Sequence, residues 1–509
     1  DSVIGKNVII HRCDEISSFE GAFSKPYIVN LGNEKCGREA VIFGGITLSD
    51  IWLQINFKKD SLLQQMLSEF TKTKFSASSP YTYIGDSCVL ENNRAIRSVK
   101  LGRRTVISGA SRVEESYVNS ASGENTLICD NAIVLDAVVE SGVKIESNAF
   151  VEKSFLDHFT TVKQGARVIQ SALGCNSTIA CAEVQNSFLS PLHEQHHNSS
   201  FLIAATIGGQ SNISSGATLG SNHNSRANDG ELRAGRGFWA GLCTSVKHNS
   251  YFAPFTLLAK SDFMHELDIG LPFSLVSNNY REDSLSVMPA YWWRYNMYAL
   301  FRNNDKFEKR LGKPHGGIEC SFMAPDTAVY VLRGIEFLKR YRNEVPSGTM
   351  ENSKRRIDIL GYQQALEAYE EMLMWYAVST VLDWIGGHDD FEVPEDVNFT
   401  SDWYNICGVP VNGSDLDSMI SDIKNGNIIS WEDVQERFER FELEYPKARF
   451  AHAFSLLKSI YNVKTLDSAA IQRIKMDYEI LDAKIKEQIE LTREKDIKNP
   501  FRNIFENHK

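Results

Sequence analysis

Residues 127–180 read LICDNAIVLDAVVESGVKIESNAFVEKSFLDHFTTVKQGARVIQSALGCNSTIA, and a branched aliphatic recurs along them at a near-constant interval. Leu127, Ile133, Val139, Ile145 and Val151 stand six residues apart. Leu156, Val162 and Val168 continue after a slip of one, followed by Leu173 and Ile179. Neither a helix of 3.6 residues per turn nor an alternating strand keeps such a beat over this distance. A coil of short strands does, because each inward aliphatic stacks on its counterpart one turn away.

The beat extends in both directions. Ile84, Leu90 and Ile96 precede it, then Leu101 and Ile107, and Ile207, Ile213 and Leu219 resume it. Glycine often follows the aliphatic, as in Ile84-Gly85, Leu101-Gly102, Leu173-Gly174 and Ile207-Gly208, which suits tight corners. Residues 1–275 are therefore read as one coiled region interrupted by an insertion over about 13–80. Within the insertion, Ser49 is the expected N-cap of a helix running to Phe70. Ile51, Ile55, Leu62, Met66 and Phe70 are placed on one face of it.

Beyond residue 290 the period turns helical. Tyr362, Leu366, Tyr369, Leu373 and Tyr376 follow 4-3-4-3 spacing, as do Ile471, Ile474, Tyr478, Leu481 and Ile485; Ser430 and Asp433 have the spacing of a capping box. Residues 301–509 are read as an α-helical domain. Residues 276–300 form an aromatic junction whose Tyr291-Trp292-Trp293-Arg294-Tyr295 either fastens helices to the coil or lines a ligand groove.

The chain resembles the hexapeptide-repeat family through these in-register aliphatics. The resemblance implies a left-handed parallel β-helix with three six-residue sides, hence 18 residues per turn, carrying an inserted helical segment and followed by an all-α C-terminal domain. More narrowly, the chain resembles long bacterial hexapeptide-repeat proteins described as transferases. Cys36-Gly37-Arg38-Glu39, His196-His197 leading to Phe201-Leu202-Ile203-Ala204, and Leu271-Pro272-Phe273-Ser274 carry that likeness.

A length of 509 residues calls for two or three domains. The net charge of −11 argues against a general nucleic-acid or anionic-membrane binder. The nine cysteines are scattered without a C-x-x-C pair, as in a reduced cytoplasmic protein, and no apolar run reaches membrane-spanning length. The chain opens at Asp1 in a repeat-like phrase, and an earlier natural start is expected. A Walker phosphate loop, a strand-bound G-x-G-x-x-G and a G-x-S-x-G elbow are all missing from the sequence.

The candidate chemistry centres on one tripeptide that occurs three times. His197-Asn198-Ser199, His223-Asn224-Ser225 and His248-Asn249-Ser250 are spaced by 26 and 25 residues. If they occupy equivalent corners of consecutive turns, neighbouring histidine Cα atoms lie about 5 Å apart. Three readings stand side by side: a structural ladder, a catalytic or binding site, and a metal site ligated by His197, His223 and His248. In the catalytic reading His223 leads, followed by His248 and His197. Asn222, Asn224, Arg226, Asp229, Glu231, Arg233, Arg236, Lys247 and Asn249 then bind substrate, the arginines offering cations to a phosphate or carboxylate.

His193-Glu194-Gln195-His196-His197 matches H-E-x-x-H, but Asn198-Ser199-Ser200 stops any helix there within two turns, against a zinc protease. The family resemblance implies acyl transfer to a sugar or nucleotide-sugar, with acyl-CoA or acyl-carrier protein as co-substrate and a histidine as general base. Two further classes stay open, a non-catalytic β-helix scaffold and a metal-dependent lyase or hydrolase. The expected partner is a small, possibly phosphate-bearing molecule, and a homo-oligomer is expected.

Overall fold

The computed structural model describes residues 2–19, 26–32, 38–75, 81–221, 230–311, 317–342, 344–387, 394–464 and 467–501. Its first half is the expected β-helix. Residues 133–135, 138–139 and 144–145 form three successive sides of one turn. Each side pairs in parallel with its equivalent in the next turn: Ile133 with Phe150, Val138 with Phe155, Lys144 with Thr161. On the third side, twelve strands from Ile9–His11 to Leu275–Asn279 stack in one parallel ladder.

These pairings advance by 17 residues per turn, not the expected 18. The missing residue is lost at the corner between the first and second sides, where one strand ends at Leu135 and the next begins at Val138. Asp136, Lys153 and Gln170 occupy this corner in successive turns with φ of 51°, 45° and 46°. One left-handed residue there reverses the chain within two positions. The inward beat is therefore six, five, six: Ile128, Val134, Val139, Ile145, Val151 and Leu156 are all fully buried. Leu127 and Ile133 are one residue out of phase and sit half-buried outside. Each turn seals three such side chains, worth roughly 1.5–3 kcal/mol apiece.

In the insertion, α1 (Leu48–Asn56) and α2 (Ser61–Phe75) replace the single expected helix. The N-cap of α1 is Thr47, not Ser49, with Asp50 closing a capping box. The chain breaks after Phe57 and restarts where the Asp60 carboxylate accepts from the Leu63 N–H at 3.1 Å. That restart shifts the phase, so Leu62 is 45% exposed while Leu63 and Leu67 turn inward. The inserted layer packs on the outer surface of the second side through Val138, Phe155, Ala172 and Phe188.

At the far end Phe273 is fully buried and stacks on Phe255 at 4.8 Å. Leu275–Asn279 then turns back antiparallel to Ser284–Met288, which is joined by Arg356–Ile359 and Glu344–Val345. The helical region follows, with α3 (Tyr291–Tyr295), α4 (Met297–Leu311), α5 (Pro325–Tyr341), α6 (Tyr362–Gly387), α7 (Gly413–Lys424), α8 (Trp431–Tyr461) and α9 (Ser468–Ile497). A hairpin, Trp403–Ile406 with Val409–Asn412, precedes α7.

Leu366, Tyr369, Leu373 and Tyr376 of α6 are buried as their spacing predicts. Ser430 caps α8, but the Asp433 carboxylate accepts from Ile429 N–H instead of returning to Ser430, so the box is not reciprocal. The region folds back to the insertion, where Trp431 Nε1–H donates to Thr71 Oγ1 at 3.0 Å and Lys424 pairs with Asp60 at 2.8 Å. Among the described residues, no helix is long and apolar enough to cross a membrane.

Candidate functional site

The expected histidine column does not form between the two tripeptides that are described. His197 lies before Ser200–Ile203, at the corner between the third and first sides. His248 follows Ser245–Lys247, at the corner between the first and second sides. Both strands belong to the first side, in register through Phe201, Thr218 and Ser245, so the two histidines stand at its opposite ends. His223, Asn222, Asn224, Arg226 and Asp229 lie outside the described residues. His197 and His248 thus share no ligand set. Among the described residues, no group of three or more His, Cys, Asp or Glu is placed to hold a metal ion.

His248 is buried, and its Nε2–H donates to the Ile203 carbonyl at 3.1 Å. Gly220 lies directly beneath it, where an added Cβ would meet Nε2 at 2.3 Å. Asn249 is the left-handed corner residue, and Ser250 Oγ–H donates to the Lys247 carbonyl. Lys247 pairs with Glu266 at 2.6 Å; against the desolvation that raises it, the ammonium and neighbouring hydrogen bonds hold the Glu266 carboxyl down to about 2. These are the habits of residues that satisfy a corner.

Two of the expected cation donors are also committed. Arg236 makes two hydrogen bonds to Asp326 at the start of α5, at 2.8 and 3.0 Å, with both side chains buried. Buried so, it clamps the second corner to the helical region and offers nothing to a substrate. Arg233 donates to Glu231 at 2.7 Å, and Glu231 also pairs with Arg38 of the insertion at 2.6 Å and accepts from Thr206.

A different constellation gathers on the third side. His193-Glu194-Gln195 is not helical but enters a strand, and the alternation of a strand sends neighbours to opposite faces. His193 and Gln195 lie in the prism interior; His193 bonds Ser211 at 2.8 Å, and burial lowers its pKa to about 4. Glu194 points outward into a cleft, still only 6% exposed. One carboxylate oxygen meets His196 Nδ1 at 2.7 Å and the other pairs with Arg310 of α4. His196 is partly exposed, its ring beside that of His197 at 4.4 Å.

Glu194 opens onto a cavity of about 390 Å³ between the third side and α4, a size suited to a small molecule. Its walls include Phe238, Trp239, Phe255, Trp292 and Phe322, and its polar groups include Asn212, Arg302 and Lys306. Trp292 serves in both of the ways open to the aromatic junction: its Nε1–H donates to the Phe255 carbonyl at 2.9 Å, and its ring lines the cavity. Sequence reasoning missed Glu194 and His196 as a pair, because H-E-x-x-H drew attention to His193 and His197. The regular steps from Arg302 to Lys306 to Arg310 were the available signal for α4.

A family model described as "Domain of unknown function (DUF4954)" matches residues 1–342, and a second, "Domain of unknown function (DUF6819)", matches residues 392–487. An "Uncharacterized protein" of Treponema pallidum (strain Nichols) is 33% identical over 550 residues, covering 99% of this chain and 76% of the relative. Neither the models nor the relative brings an activity with it.

Proposed function

The chain belongs to the family described as domain of unknown function DUF4954, and from that premise we propose that its β-helix supports a transferase acting on small molecules. The reaction we favour is acyl transfer to a hydroxyl or amine of a sugar or nucleotide-sugar, with an acyl thioester as donor. One observation carries the reading: a carboxylate–imidazole pair, Glu194–His196, at the edge of an aromatic-walled cavity.

With Nδ1–H donated to Glu194, the neutral imidazole carries its lone pair on Nε2. Nε2 accepts the acceptor's proton as its oxygen or nitrogen attacks the thioester carbonyl. The C–S bond then breaks, and the thiolate leaves with the proton returned by His196. Such a base contributes about 10²–10⁴ in rate. Arg310 matches the buried charge of Glu194 and keeps its carboxylate aimed at the ring.

The test is thiol release from a panel of acyl-CoAs in the presence of sugars and nucleotide-sugars. Release that His196→Gln abolishes without lowering the melting temperature supports the reading. No release from any donor–acceptor pair overturns it. The homo-oligomer remains a proposal, which light scattering against the 57.4 kDa monomer mass decides.

A further inference from the structure

Helix α4 presents Arg302, Lys306 and Arg310 at steps of four residues, hence along one face. Arg310 is balanced by Glu194, whereas Arg302 and Lys306 line the cavity and, among the described residues, pair with no carboxylate. Arg302 only approaches Asn303 Oδ1 at 3.4 Å and the Tyr298 ring at 5.8 Å. In a chain of net charge −11, this rim is locally cationic, the footprint of a site for a small anion.

Behind the rim the cavity is aromatic. Trp239 and Trp292 lie nearly parallel at 6.0 Å and 23°, with Trp239 only half-buried. Asn304 also lines the cavity; its Nδ2–H donates to Glu308, while its buried Oδ1 has no hydrogen-bond partner among the described residues. A buried acceptor of this kind costs free energy until a donor reaches it. An aromatic wall, an open acceptor and two free cations match a planar ring bearing N–H groups joined to a phosphate chain.

We infer that this cavity binds a nucleoside diphosphate, its base against Trp239 and Trp292 and its phosphates at Arg302 and Lys306. The inference rests on reading this cavity as the substrate site. A nucleoside diphosphate is common to nucleotide-sugars and to the CoA carrier, so comparison of UDP with ADP separates the two sources.

Isothermal titration of the full chain with UDP, ADP, the free nucleosides and inorganic diphosphate tests it. One diphosphate nucleotide is expected to bind at least about tenfold more tightly than its nucleoside and than inorganic diphosphate, a difference of one decade in Kd. The Arg302→Ala/Lys306→Ala variant, altered only at exposed positions, should lose at least about tenfold at unchanged melting temperature. Trp239→Leu should weaken binding as well. His196→Gln should bind as wild type does, which separates failure of this inference from failure of the transfer reaction. Absence of binding by both nucleotides, equal binding by inorganic diphosphate alone, or indifference to the double substitution would overturn it.

Discussion

Arg236 and Asp326, 90 residues apart, meet through two hydrogen bonds at 2.8 and 3.0 Å in a site that excludes water from both side chains. The guanidinium also reaches Gln210 Oε1 at 3.0 Å and the Ser321 carbonyl, so its remaining donors are used too. The pair fastens the second corner of the β-helix to the N-terminal turn of α5.

Arg236→Gln should therefore destabilise the chain by about 3–5 kcal/mol, because Asp326 stays buried with its charge uncompensated. Arg236→Met combined with Asp326→Leu should recover part of that loss. Denaturant midpoints of the three variants decide between this expectation and a merely decorative pair.

Within the proposed reaction, Glu194→Gln should lower thiol release by about 10²–10⁴, since His196 loses the acceptor that fixes its tautomer. His248→Ala should behave differently. It leaves the Ile203 carbonyl unpaired and should cost about 1–3 kcal/mol in stability, with transfer by the folded fraction unaltered. Comparing kcat with the melting temperature for both variants separates the roles.

Acid should unfold the chain through two buried histidines. Burial lowers His193 and His452 to about 4 each. The unfolded chain takes up these protons first, so their stabilisation is complete above about 6.5 and is lost as pH falls toward 4. Asp50, raised by burial to about 6, acts in the opposite sense below that pH. Two protons against one leave a net slope of about 1.4 kcal/mol per pH unit between 6 and 4. Urea midpoints at pH 7, 6 and 5 should show it, and His452→Gln should nearly flatten it.

Gly208 tests the corner packing directly. A Cβ there would lie 2.3 Å from the backbone nitrogen of Arg236, too close for relief by a side-chain rotation. Gly208→Ala should cost about 1–3 kcal/mol, measured against Gly165→Ala as a strained but uncrowded control.

The coil could be read from sequence because inward aliphatics must stack, and stacking leaves a period. Its true length could not, because the shortening comes from single left-handed residues such as Asp136 that carry no distinctive chemistry. The tripeptide spacing misled for a related reason. Phe201, Thr218 and Ser245 mark equivalent positions, and their separations of 17 and 27 residues differ from the 26 and 25 of the tripeptides. Equal spacing in sequence was therefore not equal position in space. The Glu194–His196 pair was hidden in a strand that resembled a helical motif. The role of α4 depended on a fold-back set by Trp292, Phe307 and Phe322, which no local pattern records.

The steady 17-residue turn also sets how the chain should respond to force. Peeling one regular turn from the β-helix frees 17 residues of contour, about 60 Å of extended chain. Stretched in an optical trap from the N-terminal end, the prism should lengthen in near-equal increments, set by one and the same ladder. The increment that releases the turn between Leu219 and Val246 should be longer by about ten residues of slack, about 35 Å.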